Sequence, residues 1–159
     1  MRIVRGLGEQ FAALHGRSLL LARALEPERL YWQPAREPGA RTFPVYSCGE
    51  HLLRSAAAVE QTFGGITVNL WDDPFEWTLP EQLPAPADVA RYLEEAEATR
   101  LRAFEFLRSD EDLSKEIAAP AGMRTLFSLA SETLARASHH QGRAYATFRL
   151  FSDARLPRV

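Results

Sequence analysis

The sequence is short of cysteine, of long apolar runs and of any excess of one charge, and each shortage removes a class of protein. Cys48 is the single cysteine, so no internal disulfide can form and a disulfide-stapled secreted framework is excluded. No run approaches the roughly 18 apolar residues of a membrane span. The first residues, MRIVRGLGEQF, lack the continuous apolar core of a signal peptide. The expectation is a soluble, cytoplasmic protein with no membrane partner. The formal charge is only −2, and the arginines are scattered without forming a basic block, so nucleic acid is not an expected partner. No phosphate-binding glycine loop, dinucleotide fingerprint, serine-hydrolase elbow, internal repeat or low-complexity tract is present.

What remains is a chain of 159 residues, 46% hydrophobic, which suits one domain with one sizeable core over residues 1–159. Leu7, Phe11, Leu14, Ala22 and Leu25 keep the three-and-four spacing of an amphipathic helix that Pro27 closes. The proline-rich YWQPAREPGARTFPVY reads as an irregular connection, with Tyr31 and Trp32 packing over the end of the helices. Ser47 and Glu50 form a capping-box pattern ahead of a second helix, whose face is Leu52, Ala56, Val59 and Phe63 and whose end is expected at Gly64 and Gly65. A long connection follows, with an extended or short helical piece around Ile66 to Trp71. The third helix runs from about Pro86 to Leu107, on Val89, Leu93, Ala96, Ala103 and Leu107. DLSKEIAA reads as a strand-like or irregular piece. The fourth helix is expected from Arg124 to Phe151, with Leu126, Ala130, Thr133, Ala137, Ala144 and Phe148 inward. Four such helices bury one another's stripes most simply as an all-α, antiparallel four-helix bundle with long crossover connections.

The fourth helix carries adjacent histidines in ARASHHQGRAYATFRLF. At about 100° per residue, His140 falls near the inward stripe, whereas His139 lies on the flank, toward an edge or a neighbouring subunit. A bundle interior is a common place for a metal or ligand site.

HHQGR, His139 to Arg143, resembles the HHRGQ signature on the last helix of the DinB/YfiT-like family. LYWQP at Leu30 to Pro34, SCGEHLLRSAAAVE at Ser47 to Glu60 and APAGMRTLFSLASETL leading into the fourth helix extend the resemblance over most of the chain. It implies a four-helix bundle of metal-dependent enzymes. In that family a divalent metal, nickel or zinc, is held by one histidine on the second helix and an H-x-x-x-H pair on the fourth, with water completing an open sphere. Such a centre polarises a substrate or acidifies a bound water. Hydrolysis and low-molecular-weight thiol transfer are the activities implied, homodimers are frequent, and the family name refers to damage-inducible, stress-associated expression.

Carried over residue by residue, the second histidine of the pair is His140, but the first falls on Arg136. The second-helix histidine falls on Arg54 when aligned on Glu50, or on Ser55 when aligned on Glu60. Arginine has no acceptor lone pair and cannot be a ligand. Two of three expected histidines are thus absent. The leading expectation is a metal-free pocket in which Arg54, Ser55, Arg136 and His140 receive a small anion, since guanidinium groups suit carboxylate and phosphate oxygens. A competing expectation turns Arg136 and Arg54 outward to pair with Glu132, Glu60 or Glu97. The alternative function is a divalent-metal enzyme on His140 and His51, completed by Glu50 or Glu132. A third is an interaction module that dimerises through helix faces. Cys48, in the first turn of the second helix, sits where a helix dipole lowers a thiol pKa, although no activating base accompanies it. WDDPFEW, Trp71 to Trp77, is a candidate lid or dimer contact.

Overall fold

The computed structural model describes residues 2–35, 45–74 and 78–156. The expected course of Arg36 to Pro44, and the Phe75–Trp77 part of the candidate lid, lie outside the described residues.

Four long helices carry the fold: α1 (Arg2–Ala24), α3 (Cys48–Val68), α4 (Pro86–Phe104) and α5 (Leu126–Phe148), with a one-turn α2 (Pro27–Leu30) after the first. Their starts follow from the sequence. Ser47 caps α3 with the full box: its hydroxyl accepts from Glu50 N–H at 3.2 Å, and the Glu50 carboxylate accepts from Ser47 N–H at 2.7 Å. Pro86 opens α4 at its first turn, where a missing N–H costs nothing. Thr125 caps α5 by accepting from Ser128 N–H.

The start of α1 is capped from a distance. Asp110, more than a hundred residues on, accepts from the backbone N–H of Arg2, Ile3 and Val4 at 2.8, 3.1 and 3.0 Å. These bonds, that of Val4 foremost, hold its carboxyl down to about 2. Asp110→Ala is therefore expected to fray α1 and lower Tm, whereas Glu111→Ala next to it leaves Tm almost unchanged; paired thermal melts decide.

The end of α3 departs from expectation. Gly64 and Gly65 do not stop the helix, which runs on to Val68, and Asn69 in the left-handed conformation (φ 55°, ψ 30°) ends it by donating its N–H to Gly65 O. The glycines serve packing instead. A Cβ at Gly65 would overlap the Trp71 ring, so the bare backbone is what lets the returning chain lie against the helix. The piece expected around Ile66 to Trp71 is thus the last turn of α3 and its exit.

The chain is mostly helical, but not wholly. DLSKEIAA holds a short 3-10 turn, Glu111–Ser114, and then β1 (Glu116–Ala119), which pairs antiparallel with β2 (Gly122–Thr125) around Pro120 and Ala121. The hairpin takes Arg124 and Thr125 out of the fourth helix, which begins at Leu126 and ends at Phe148 rather than Phe151.

Contacts place α3 between α5 and α4, and α1 between α4 and α5, so α1 lies diagonally across from α3. The expected stripes are inside: Phe11, Leu14, Leu52, Phe63, Val89, Leu93, Ala137, Ala144 and Phe148 are all nearly inaccessible. Phe11 and Phe63 meet edge to face at 5.0 Å. Buried Ala56, Ala57 and Ala58 keep α3 slim in the middle of the assembly. At one end, Tyr31 donates to Leu83 O and Trp32 packs on Phe151, the closure expected of that aromatic pair. No helix among the described residues is long and apolar enough to cross a membrane.

Candidate functional site

His51, Arg54, Ala58 and Gln61 recur at three-and-four spacing on α3, and Arg136, His140 and Arg143 do so on α5. Because α3 and α5 pack together most extensively, these two polar stripes meet. His51 and His140 approach to 3.3 Å between their Nδ1 atoms. One ring must donate its Nδ1–H while the other offers its lone pair, so one ring is left with an Nε2 lone pair and the other with an Nε2–H.

Both rings are kept neutral. His51 is held down to about 4 chiefly by burial, then by Arg143 and His140, with Glu50 opposing and Arg54 adding to the effect. His140 is also held to about 4, by burial first and then by His139, Arg54, Arg143 and Arg136. His51 is almost inaccessible and also packs edge-on against Tyr46 at 5.5 Å. His139 is exposed on the flank, as the wheel predicts.

Beside the pair lies a cleft of about 220 Å³ lined by Arg54, Ala57, Ala58, Gln61, Asp73, Arg136 and His140. Each guanidinium in it is positioned. Arg54 lies over the Tyr46 ring, 3.9 Å from its centroid, and Arg136 donates to Gln61 Oε1 at 3.3 Å. The three carboxylates weighed as outward partners for these arginines each hold another group. Glu132 is bound to Arg124 at 2.6 Å, Glu60 accepts from Tyr92, and Glu97 is bound to Arg100.

Ser55 is the exception among the expected pocket residues. Its hydroxyl donates to Ala137 O at 2.9 Å inside the α3–α5 interface, so it ties the helices together and does not line the cleft. Arg54, a residue earlier and about 100° round the helix, is the one that faces it.

For the divalent ion that the resemblance implies, two donors are in place and the rest are not. Nitrogens about 2.05 Å from a tetrahedral ion lie roughly 3.3 Å apart, which is the His51–His140 spacing. The expected oxygen ligands have other partners: Glu50 Oε2 accepts from Ser47 N–H, Ser47 Oγ and Gln33 Nε2, and Glu132 Oε2 accepts from Arg124. Among the described residues no three His, Cys, Asp or Glu side chains converge. Positive Arg54, Arg136 and Arg143 add a Coulombic penalty for a cation. A three-ligand centre does not fit these residues. Cys48 plays no part either. It is fully buried, donates weakly to Ala144 O at 3.4 Å, and burial pushes its thiol up to about 12, opposite to the dipole expectation.

Tyr46 and Gln61 are site residues that sequence reading passed over. The signal for Gln61 was its place seven residues after Arg54, on the same face of α3. Nothing in the sequence marks Tyr46, which reaches the site from the connection before Ser47. No family model, curated protein or solved structure matches this chain.

Proposed function

We propose that the chain is a DinB/YfiT-like protein in which the four long helices form an antiparallel bundle with long crossover connections, and in which the family's metal position has become a cleft for a small anion. The observation that carries this reading is the placement of Arg54 and Arg136 on one cleft beside a neutral histidine pair. Two guanidinium groups attract an oxyanion, and Asp73 on the same wall offsets one of their charges. Within the cleft's own lining, which Arg143 does not join, the balance favours a monoanion, such as a carboxylate, over a doubly charged phosphate. When His51 is the Nδ1–H donor of the pair, His140 keeps its proton on Nε2 and adds an N–H donor to the cleft without carrying charge itself.

The reading is tested by heating dialysed protein with sodium acetate and with sodium phosphate. Saturating acetate is expected to raise Tm by about 3 °C, phosphate by less, and Arg136→Met to abolish both shifts. An acetate effect that survives in Arg136→Met would sink the reading.

The metal-dependent alternative, a hydrolase or thiol transferase, draws on one observation, the 3.3 Å spacing of the two Nδ1 atoms. It requires about one equivalent of nickel or zinc that survives dialysis and is lost in His140→Ala. Elemental analysis of the untagged protein, with and without added metal, separates the two readings.

A further inference from the structure

The anion cleft has a neighbour. A second cleft of about 240 Å³ lies between α3, α5 and the β1–β2 hairpin, with Trp71, Pro120, Ala121, Leu129 and Thr133 on its walls. Gln61 and Arg136 line both clefts, so their hydrogen bond is the wall between them. We infer that the two clefts form one bipartite site for a monocarboxylate with a flat apolar tail: the carboxylate sits by Arg54 and Arg136, and the tail passes Gln61 to lie against Trp71 and the hairpin. The inference rests on the anion reading above and extends it to the rest of the ligand.

The wall is weak enough to open. Gln61 accepts from Arg136 Nη2 at 3.3 Å and donates its Nε2–H to Trp71 O at 3.2 Å, both longer than the usual 2.9–3.0 Å or so of an N–H···O bond. A carboxylate offers Arg136 a charge-assisted bond of about twice the strength of a neutral one. The ligand head thus replaces Gln61 as the partner of Arg136, and the freed amide swings aside to admit the tail.

The second compartment offers apolar surface at Trp71, Pro120, Ala121 and Leu129, set among polar side chains. Trp71 rests on the bare backbone of Gly65, which fixes the ring at the site. Thr62 and Thr133 satisfy each other at 2.7 Å, leaving little unmet polarity on the α3–α5 side. Arg124 and Glu132, also on the wall, neutralise one another. With Arg136 taken by the ligand head, no net charge remains there for a second anionic group, and a phenyl ring finds its apolar contacts at Trp71, Pro120, Ala121 and Leu129. Together the compartments fall in the size range of ordinary small-molecule sites, roughly 300–1,000 Å³.

The test uses sodium acetate as a head-only probe and sodium phenylbutyrate as a head-and-tail probe, titrated calorimetrically into the full chain and two variants. Phenylbutyrate is expected to bind at least on the order of tenfold tighter than acetate. Ala121→Trp, on the exposed hairpin turn, fills the second compartment and is expected to erase that gain while leaving acetate binding intact; circular dichroism checks its fold. Arg136→Met is expected to abolish binding of both probes. Equal affinities, or a gain that survives Ala121→Trp, would overturn the bipartite site and leave the anion reading standing. Binding of either probe that is indifferent to Arg136→Met, or no binding of either, would overturn both.

Discussion

Glu97→Ala is expected to destabilise the fold by on the order of 3 kcal/mol, read as a lower urea midpoint at unchanged slope. The cost comes from what is left behind. Arg100 is only 4% exposed, and its guanidinium makes two bonds to Glu97, at 2.8 Å through Nε and 2.5 Å through Nη2. Its aromatic neighbour, Phe104, lies 5.0 Å away and stabilises a desolvated cation only in part. Without Glu97 the arginine keeps its charge, because no accessible pH removes it, and must either stay unpaired or drag water into the α1–α4 contact. Glu97 also borders a water-sized cavity of about 20 Å³ with His15, Ser18 and Ser55, so its loss enlarges a void as well. The double variant Glu97→Leu/Arg100→Met removes both charges at similar volume and is expected within about 1 kcal/mol of the parent. If Glu97→Ala proves as mild as the double variant, the pair is solvated and the burial argument fails.

How much of this was legible beforehand varied with the kind of signal. The apolar stripes were readable because each follows from one helix and one period: Phe11, Phe63, Leu93 and Phe148 are all inside. The box of Ser47 and Glu50 was readable because a cap is made within four residues. Gly64 and Gly65 do not end the helix because the role of Gly65 is set by Trp71, which returns from beyond the helix end, and the left-handed stop passes to Asn69. The same limit governs the site. A wheel ranks His140 above His139, but it cannot give the rotation of α3 against α5. That rotation brings His51 to His140 and Arg54 to the cleft, and turns Ser55 into the interface. It depends on three consecutive small residues, Ala56 to Ala58, and on what they meet across the contact. Arg54 or Ser55 at the second-helix position therefore stayed open until the packing was known.

The meeting of the two histidines also fixes how stability should respond to acid. Each ring has an ordinary value of 6.5 and is held to about 4 in the fold. Between those values the unfolded chain binds protons that the folded chain refuses, so acid favours unfolding. The stabilising effect of keeping the rings neutral is complete above pH 6.5, falls as pH drops, and stops falling near pH 4. Burial is the first cause for both rings. Arg143 and Arg54 act on both, Arg136 and His139 act on His140, and Glu50 alone opposes, at His51. One proton can be shared along the Nδ1–Nδ1 line, and His140 has partial access to water, so the two shifts do not add in full. A loss on the order of 3 kcal/mol across the window is expected, about that of one such shift. The carboxyls of Asp110 and Asp112, held at about 2, contribute acid sensitivity of their own, chiefly below pH 4. The histidine part is isolated by comparing the parent with His51→Asn/His140→Asn from pH 7 to 4.5: the double variant starts less stable and shows a flatter slope. Parallel slopes would mean that the rings titrate alike in the folded and unfolded chains, and the cleft would then carry a charged histidine beside its arginines below pH 6.5.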